Sequence, residues 1–395
     1  MKVLNVVMQN YLGGPQIRVI SVAEKLKKEG VNTILACPSS SSGNTNFTSY
    51  AQREGFPVNE IFFPGPSNFN SAKSILKNIF WIVTIPLTVF QFTRLIRREN
   101  VDLVHVNGVL NFQPALAAYL SGKKVVWHLM SSLYPSFLIS LMMILVKPVA
   151  EEIIVIAPSL GEYYLGEGFK SRRNVQVIYE PVDPDKFNLN QALLKKEHLL
   201  TELGLNNSHF LGVCVANINP VKGHRYLIEA LPRVLENNPN FKLLLVGDVP
   251  STQKDYYLQL VELLEKLNLT DSIYFLGSRE DIPSILGISH LLILPSIAEG
   301  TPLVILEAMC MGKAVIATDV GAIKEQMIDH KTGFIIPPQD PVALSESIIR
   351  LMEDETLRKK MGENGLKEAQ KFYLDKCVSA HLETYKKALN INHEI

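Results

Sequence analysis

The chain has 395 residues, 47% of them apolar, too many for one small core and enough for two cores of roughly 150 to 200 residues each. Its four cysteines (Cys37, Cys214, Cys310, Cys377) are far apart and form no CxxC pair, which argues against a disulfide framework or a cysteine zinc site and for a reduced, intracellular protein. The formal charge is zero but uneven: residues 1–180 carry 17 Lys and Arg against 11 Asp and Glu, a surplus of +6 that residues 181–395 reverse. A basic half facing an anionic partner fits this split, and so do two ordinary surfaces that happen to differ.

"MKVLNVVMQN" lacks the apolar region and small-residue cleavage site of a signal peptide and reads as a first strand. A periodic helix is predicted over 16–29, stopped by Gly30, and a mobile Ser/Asn-rich loop over 39–49. "NTILACP", "NEIFFP", "DLVHVNG", "KVVWHL", "EIIVIAPS" and "VQVIYEPV" continue the strands, and their near-continuous apolar character suits a parallel sheet covered on both faces. Between them lie "IFWIVTIPLTVFQF" (79–92) and "FLISLMMILV" (137–146). Each is shorter than the ~18 residues of a membrane span, and Pro86 interrupts the first. Arg94, Arg97, Arg98 and Lys147 follow them, as expected of helices resting on a membrane surface; buried core helices fit each segment as well.

"PVDPDKFNLNQ" (181–191) marks a linker between domains. A second strand series follows: "FLGVCVANI", "FKLLLVGD", "SIYFLGS", "HLLILPS", "KAVIATD" and "GFIIPP", with helices predicted at 223–236 and 255–267. The βαβ alternation of both halves predicts two doubly wound α/β domains, with ligands at the carboxyl ends of the strands, in a cleft between the domains.

Within "PSIAEGTPLVILEAMCMG" (295–312), Glu307 sits in an apolar run, where a carboxylate costs several kcal/mol unless something pairs with it. Thr301 and Pro302 open its helix, with proline favoured at the first helical position. The free N–H groups of the first turn suit a phosphate, and Glu307, leaning back toward the helix N-terminus, can accept hydrogen bonds from a ribose diol. A helix glutamate paired with a lysine elsewhere is the bland alternative. No G-x-G-x-x-G follows either first strand, and no G-x-x-x-x-G-K-[ST] or H-E-x-x-H occurs, which disfavours a dinucleotide oxidoreductase, a P-loop enzyme or a zincin. The acidic "DPD" (183–185) lies in the linker, so no catalytic metal and no cofactor are expected.

Almost the whole chain resembles the retaining glycosyltransferases of the GT-B fold, family 4. The resemblance runs through "EGTPLVILE", "VANINPVKGHRYLIEALPRV", "LLLVGD", "IYFLGSREDIPSIL", "MGKAVIATDVGAIKEQM" and "KTGFIIPPQDPVAL", and more loosely through "GGPQIRVISVAEKL" and "VVWHLMSS". It implies an N-terminal acceptor-binding Rossmann-like domain at 1–182 and a nucleotide-sugar-binding one at 183–370. A last segment, 371–395, would pack back on the first domain, so that closure about the linker assembles the site. Glu307 would bind the donor ribose, and the backbone at Thr301, Pro302 and Leu303 the diphosphate. Glu299 would lie by the transferred sugar, and Lys222 would neutralise the diphosphate. Gly13 and Gly14, ending the first strand, would let backbone approach the donor. His128, or less strongly His105, would contact the sugar; a structural histidine is the alternative. Gly277, Ser278 and Arg279 would meet the base, mostly through backbone. Where the family has an arginine the chain has Asn217, and a lysine's point charge does not replace a planar guanidinium. Arg225 and Arg18 are the substitutes in view.

The resemblance therefore implies transfer of a sugar from a nucleoside diphosphate with retention. Together with the apolar segments it leads to an expected membrane-embedded, lipid-linked saccharide acceptor of surface polysaccharide or glycan assembly. The enzyme would sit in the cytoplasm, peripheral at the inner face of the plasma membrane, on an anionic surface, with no nucleic-acid partner. A GT-B nucleotide-sugar epimerase and an inactive binding subunit are the alternatives.

Overall fold

The computed structural model describes residues 1–39, 46–65, 72–130 and 136–391. The core of the predicted Ser/Asn-rich loop, residues 40–45, and Ser131 and Ser132 of "VVWHLMSS" lie outside them. The chain divides into two compact units, Met1–Glu180 with Leu374–Ile395, and Pro181–Tyr373.

In the first unit seven parallel strands, β1 (Lys2–Val6), β2 (Asn32–Pro38), β3 (Val58–Ile61), β4 (Leu103–Asn107), β5 (Lys124–Leu129), β6 (Glu152–Val155) and β7 (Val175–Val177), lie in the order 3-2-1-4-5-6-7. Leu4, Leu35, Leu103, Val104 and Val126 are buried to completion, so both faces of the sheet are covered and the apolar runs need no alternation. Helix α1 (Gly14–Lys28) follows β1, with Pro15 in its first turn and Lys25, Lys27 and Lys28 in its last, where cations suit the helix dipole. After α2 (Phe47–Arg53) comes α3 (Ala72–Glu99), then α4 (Phe112–Leu120) and α5 (Ser136–Val149).

One prediction is corrected here. The segment 79–92 is the middle of a 28-residue helix, and Pro86 sits inside that helix without ending it. A proline removes one helical hydrogen bond, but Val89, Phe92, Leu95 and Ile96 bury the inner side of α3, which packs on α4, and that packing outweighs the local propensity. By length and composition the span Ser74–Glu99 could cross a membrane, although 33% of its most apolar window is buried in the protein. The helix Leu374–Ala388 completes the first unit, burying Leu374, Val378 and Tyr385 against Val3, Leu26 and Leu103.

The second unit holds six parallel strands, β8 (Phe210–Val215), β9 (Phe241–Val246), β10 (Ile273–Gly277), β11 (Leu291–Leu294), β12 (Ala314–Thr318) and β13 (Gly333–Ile336), in the order 10-9-8-11-12-13. Leu243, Leu245, Ile293 and Ile316 meet Leu231, Leu264 and Ile348 of the flanking helices in one core. In each sheet the winding direction reverses beside the first strand, between β1 and β4 and between β8 and β11. A doubly wound sheet leaves a crevice at the carboxyl ends of those two strands.

Candidate active site

The crevice of the second unit lies between the loops that follow β8 and β11, and these loops carry Asn217, Lys222, Glu299, Thr301 and Pro302. Gly223 joins the two. Its φ is +70°, and a Cβ there would stand 1.9 Å from Pro295 O, so only glycine lets the chain pass. Ile297 N donates to Val221 O at 2.7 Å, which fixes one loop on the other. Lys222 Nζ thereby reaches Glu299 Oε1 at 2.7 Å, and Ser296 Oγ donates to the same oxygen at 2.6 Å. From the far side Gly321 (φ +58°) presses against this loop; a Cβ on it would lie 2.3 Å from Glu299 O. Ala322 N donates to Gly300 O at 3.0 Å.

The helix after this loop runs Leu303–Cys310, and Pro302 is its N-cap, one place earlier than the predicted first helical position. Its carbonyl accepts from Gln326 Nε2 at 3.1 Å. The N–H groups of the first turn have no intrahelical acceptor, and the Thr301 hydroxyl beside them is buried without a partner. Together with the helix dipole they form a pocket of donors for an anion. One turn on, the partly buried Glu307 has no hydrogen-bond or ion-pair partner among the described residues. Burial pushes its carboxyl up to about 7, against a weaker opposite pull from Lys186. An acid without a protein partner beside N–H and hydroxyl donors without protein acceptors is an arrangement that suits a polar ligand.

Asn217 does a local job: its Oδ1 accepts from Asp248 N at 3.0 Å, tying the ends of β8 and β9 together. Gly247 N donates to Gly277 O at 2.8 Å and continues the link to the end of β10, where Gly277 has φ +65°. Ser278 follows it there. The guanidinium of Arg279 is occupied, with both nitrogens of its fork on Asp281 at 2.8 Å and a third on Glu202 at 2.7 Å. Neither suggested substitute for the family arginine is free. Arg225 pairs with Glu229 at 2.8 Å on an exposed helix face, and Arg18 is buried in the first unit.

There Gly13 and Gly14 do not end the first strand: β1 stops at Val6, Gly13 caps α1 and Gly14 is its first residue. Gly13 has φ −150°, open to any residue. What glycine spares is space, since a Cβ would meet the Tyr11 ring at 3.1 Å. His128, near the end of β5, has 0% exposure. Its Nδ1 lies 3.2 Å from Arg18 Nη1 and 3.2 Å from His105 Nε2, and only Nε2 is without a partner. Arg18 also donates to Asn107 Oδ1 at 2.8 Å and pairs with Glu180 at 3.4 Å, while His105 Nδ1 bonds to the Tyr385 hydroxyl at 2.7 Å. Burial and the neighbouring charges hold His105 and His128 well below the ordinary imidazole range, and His381 at about 3.

Ring nitrogens of His105, His128 and His381 lie within 4.8 Å of one another, close enough for a metal. The Arg18 guanidinium touching His128 makes the place repulsive to a cation, and the cluster is better described as a buried polar network. Ser296, Gly223 and Gly321 escaped the sequence reading. The signal for the two glycines was there, one following Lys222 directly and one in "DVGA", but the backbone they touch is distant in sequence.

Two doubly wound sheets, each with its crevice at the switch of winding, are an architecture that hosts many functions, and comparison with known proteins narrows it. Residues 195–368 match the family Glycosyl transferases group 1, and residues 12–186 match Glycosyltransferase Family 4. The chain belongs to these GT-B glycosyltransferases and is a transferase enzyme. It is 27% identical to N-acetyl-alpha-D-glucosaminyl L-malate synthase of Bacillus anthracis over 73% of this chain and 75% of that one. To the UDP-Gal:alpha-D-GlcNAc-diphosphoundecaprenol alpha-1,3-galactosyltransferase of Escherichia coli it is 27% identical, over 67% of this chain and 70% of that one. In fold it is similar to the Anabaena protein HepE solved with UDP, with a TM-score of 0.81 and 22% identity over 98% of this chain and 100% of that one. A glycosyltransferase from Rickettsia africae gives a TM-score of 0.81 at 23% identity, covering 99% of each chain.

Proposed function

We propose that the enzyme transfers a sugar, with retention of configuration, from a nucleoside-diphosphate sugar to a lipid-linked saccharide at the cytoplasmic face of an anionic membrane. The observation that carries the donor half is Glu307, unpaired and pushed up to about 7 beside the donor pocket at Thr301–Leu303. A ribose diol satisfies that carboxylate, and a diphosphate satisfies the helix N–H groups. Lys222 then divides its three N–H donors between Glu299 and the departing diphosphate, whose developing charge it stabilises. Diphosphate leaves readily, so the step asks for charge stabilisation more than for a proton donor. Glu299, with Oε1 held by Lys222 and Ser296, keeps its other oxygen for the transferred sugar. Gly277, Ser278 and Arg279 present backbone to the base at the end of β10.

The acceptor half rests on the exposed apolar faces of α3 and α5 and on the Escherichia coli relative, whose name gives a diphosphoundecaprenol-linked acceptor. The test is incubation with a panel of nucleotide sugars, measuring released nucleotide with and without a lipid extract. Release that rises with the extract supports the reading. Release that ignores lipid points to an epimerase or a soluble acceptor, and no release with any sugar points to the inactive subunit that Asn217 favours.

A further inference from the structure

Among the exposed apolar side chains of α3, Leu76, Phe80, Val83, Leu87 and Phe90 are spaced by three or four residues and form one stripe, which Ile75, Ile79 and Ile82 widen along one side. Val83 is 70% and Phe90 64% exposed, an extent of open apolar surface that a soluble protein rarely leaves to water. The same spacing carries the stripe on to Arg94 and Arg97. Both are exposed, and neither has a hydrogen-bond or ion-pair partner among the described residues. Arg98 is different: it donates to Asn59 Oδ1 at 2.7 Å and to Glu99 at 3.0 Å. Glu99 is the first acid on the helix. Phe90, Thr93 and the three arginines line a surface cleft of about 440 Å³.

Helix α5 repeats the order. Phe137, Leu141 and Ile144 are exposed at helical spacing, Ile144 by 69%, and Lys147 follows, exposed as well. Each of these helices joins two strands of one parallel sheet and so runs against the strands. Their basic ends therefore lie at the same edge of the first unit, opposite the carboxyl ends of the strands. The inner side of α3 is committed to the protein through Phe92, Leu95 and Ile96, and Trp81 turns onto Phe112 with 5.9 Å between ring centroids. A helix with one side packed and the other apolar lies in an interface and does not span it.

The geometry points to α3 and α5 as an in-plane docking surface for an anionic phospholipid bilayer, in which Arg94 and Arg97 grip lipid phosphates while Phe80, Val83 and Leu87 enter the acyl boundary. Two unpaired guanidinium forks one turn apart match phosphate oxygens, and no acid precedes them on the helix to compete. The inference deepens the membrane side of the proposed function and rests on it only for its purpose.

Flotation of the full chain with vesicles tests it. The protein should rise with phosphatidylglycerol vesicles, less so at high salt, and stay down with pure phosphatidylcholine. The double variant Arg94→Gln/Arg97→Gln should lose roughly 25-fold in partition to the anionic vesicles, from a factor of about five for each arginine. Phe80→Asp should also lose binding to the phosphatidylglycerol vesicles, and melting temperatures of the variants report that they fold. Equal binding to both lipids by the parent, an unchanged arginine variant, or a protein that only detergent extracts would overturn the proposal. Nucleotide-sugar turnover measured on the same preparations without lipid reads the donor residues of the second unit. Failed flotation with intact transfer to a lipid-linked acceptor sinks this inference alone, and sound flotation with no turnover sinks the catalytic reading alone.

Discussion

The two units share a winding pattern and treat their buried charges in opposite ways. In the first, Arg18 is buried among Glu180, Asn107 and His128, with His105, Tyr385 and His381 close behind, so the charge is answered inside the protein. In the second, Glu307 and the donor pocket at Thr301 are left unanswered at the carboxyl end of the sheet. The difference separates polar groups that hold a fold from polar groups that wait for a ligand. An answered charge shows up as stability, and an unanswered one as binding.

Removing the answered charge should give the largest effect. Arg18→Met leaves Glu180 buried without its partner and should cost about 3 to 5 kcal/mol of unfolding free energy, read by urea or thermal denaturation. Donor affinity of the folded fraction should hold. A variant of normal stability that has lost donor affinity would place Arg18 in the phosphate clamp and erase the contrast between the units.

Lys222→Ala should come next. Removing one preorganised charge at a departing diphosphate lowers kcat by about 10²- to 10³-fold, near 3 to 4 kcal/mol, with the fold intact by circular dichroism. An unchanged kcat would mean that the Lys222–Glu299 pair is structural, like the network around Arg18.

Glu307→Gln should move two observables in opposite directions. Donor binding weakens by about tenfold or more with loss of a charged hydrogen-bond acceptor. Stability without donor rises, and the sign follows from linkage. The folded carboxyl ionises near 7 against 4.5 when unfolded, so stability is full below pH 4.5 and is lost as the pH climbs through 7. At pH 8 the glutamine variant should therefore be the more stable by up to about 3 kcal/mol, and at pH 4 the two should coincide. Equal stability at both pH values would show that Glu307 has an answer of its own.

The thirteen strands among the described residues were all legible in the sequence because strands buried on both faces read as short apolar runs closed by turn residues. Glu307 was legible for the reason it matters, a charge among Leu303, Val304, Ile305 and Leu306. What the sequence hid depends on contacts between distant residues. Pro86 looked like a helix end because the packing of α3 on α4 is invisible in the local pattern. His128 and Arg18 looked available because their enclosure needs Tyr385 and His381, over 250 positions on from both. Ser296 is one serine among many until the chain folds Lys222 over it.

The smallest expected effect is none: activity should survive EDTA. On the proposed reading a diphosphate would meet Lys222, the donors of a helix N-terminus and the buried Thr301 hydroxyl, all positive or proton-bearing groups. A bridging cation would need carboxylate oxygens free to hold it. Glu299 already shares one oxygen between Lys222 and Ser296, and desolvation pushes the Glu307 carboxyl up to about 7, which weakens it as a ligand for a cation. A Mg²⁺ ion would also have to displace the Lys222 ammonium or sit beside it, at a Coulomb cost. Initial rates before and after chelation, with saturating donor, check this directly. A loss of rate that Mg²⁺ or Mn²⁺ restores would show that the site binds its phosphates through a metal after all, and the role given to Lys222 would have to shrink accordingly.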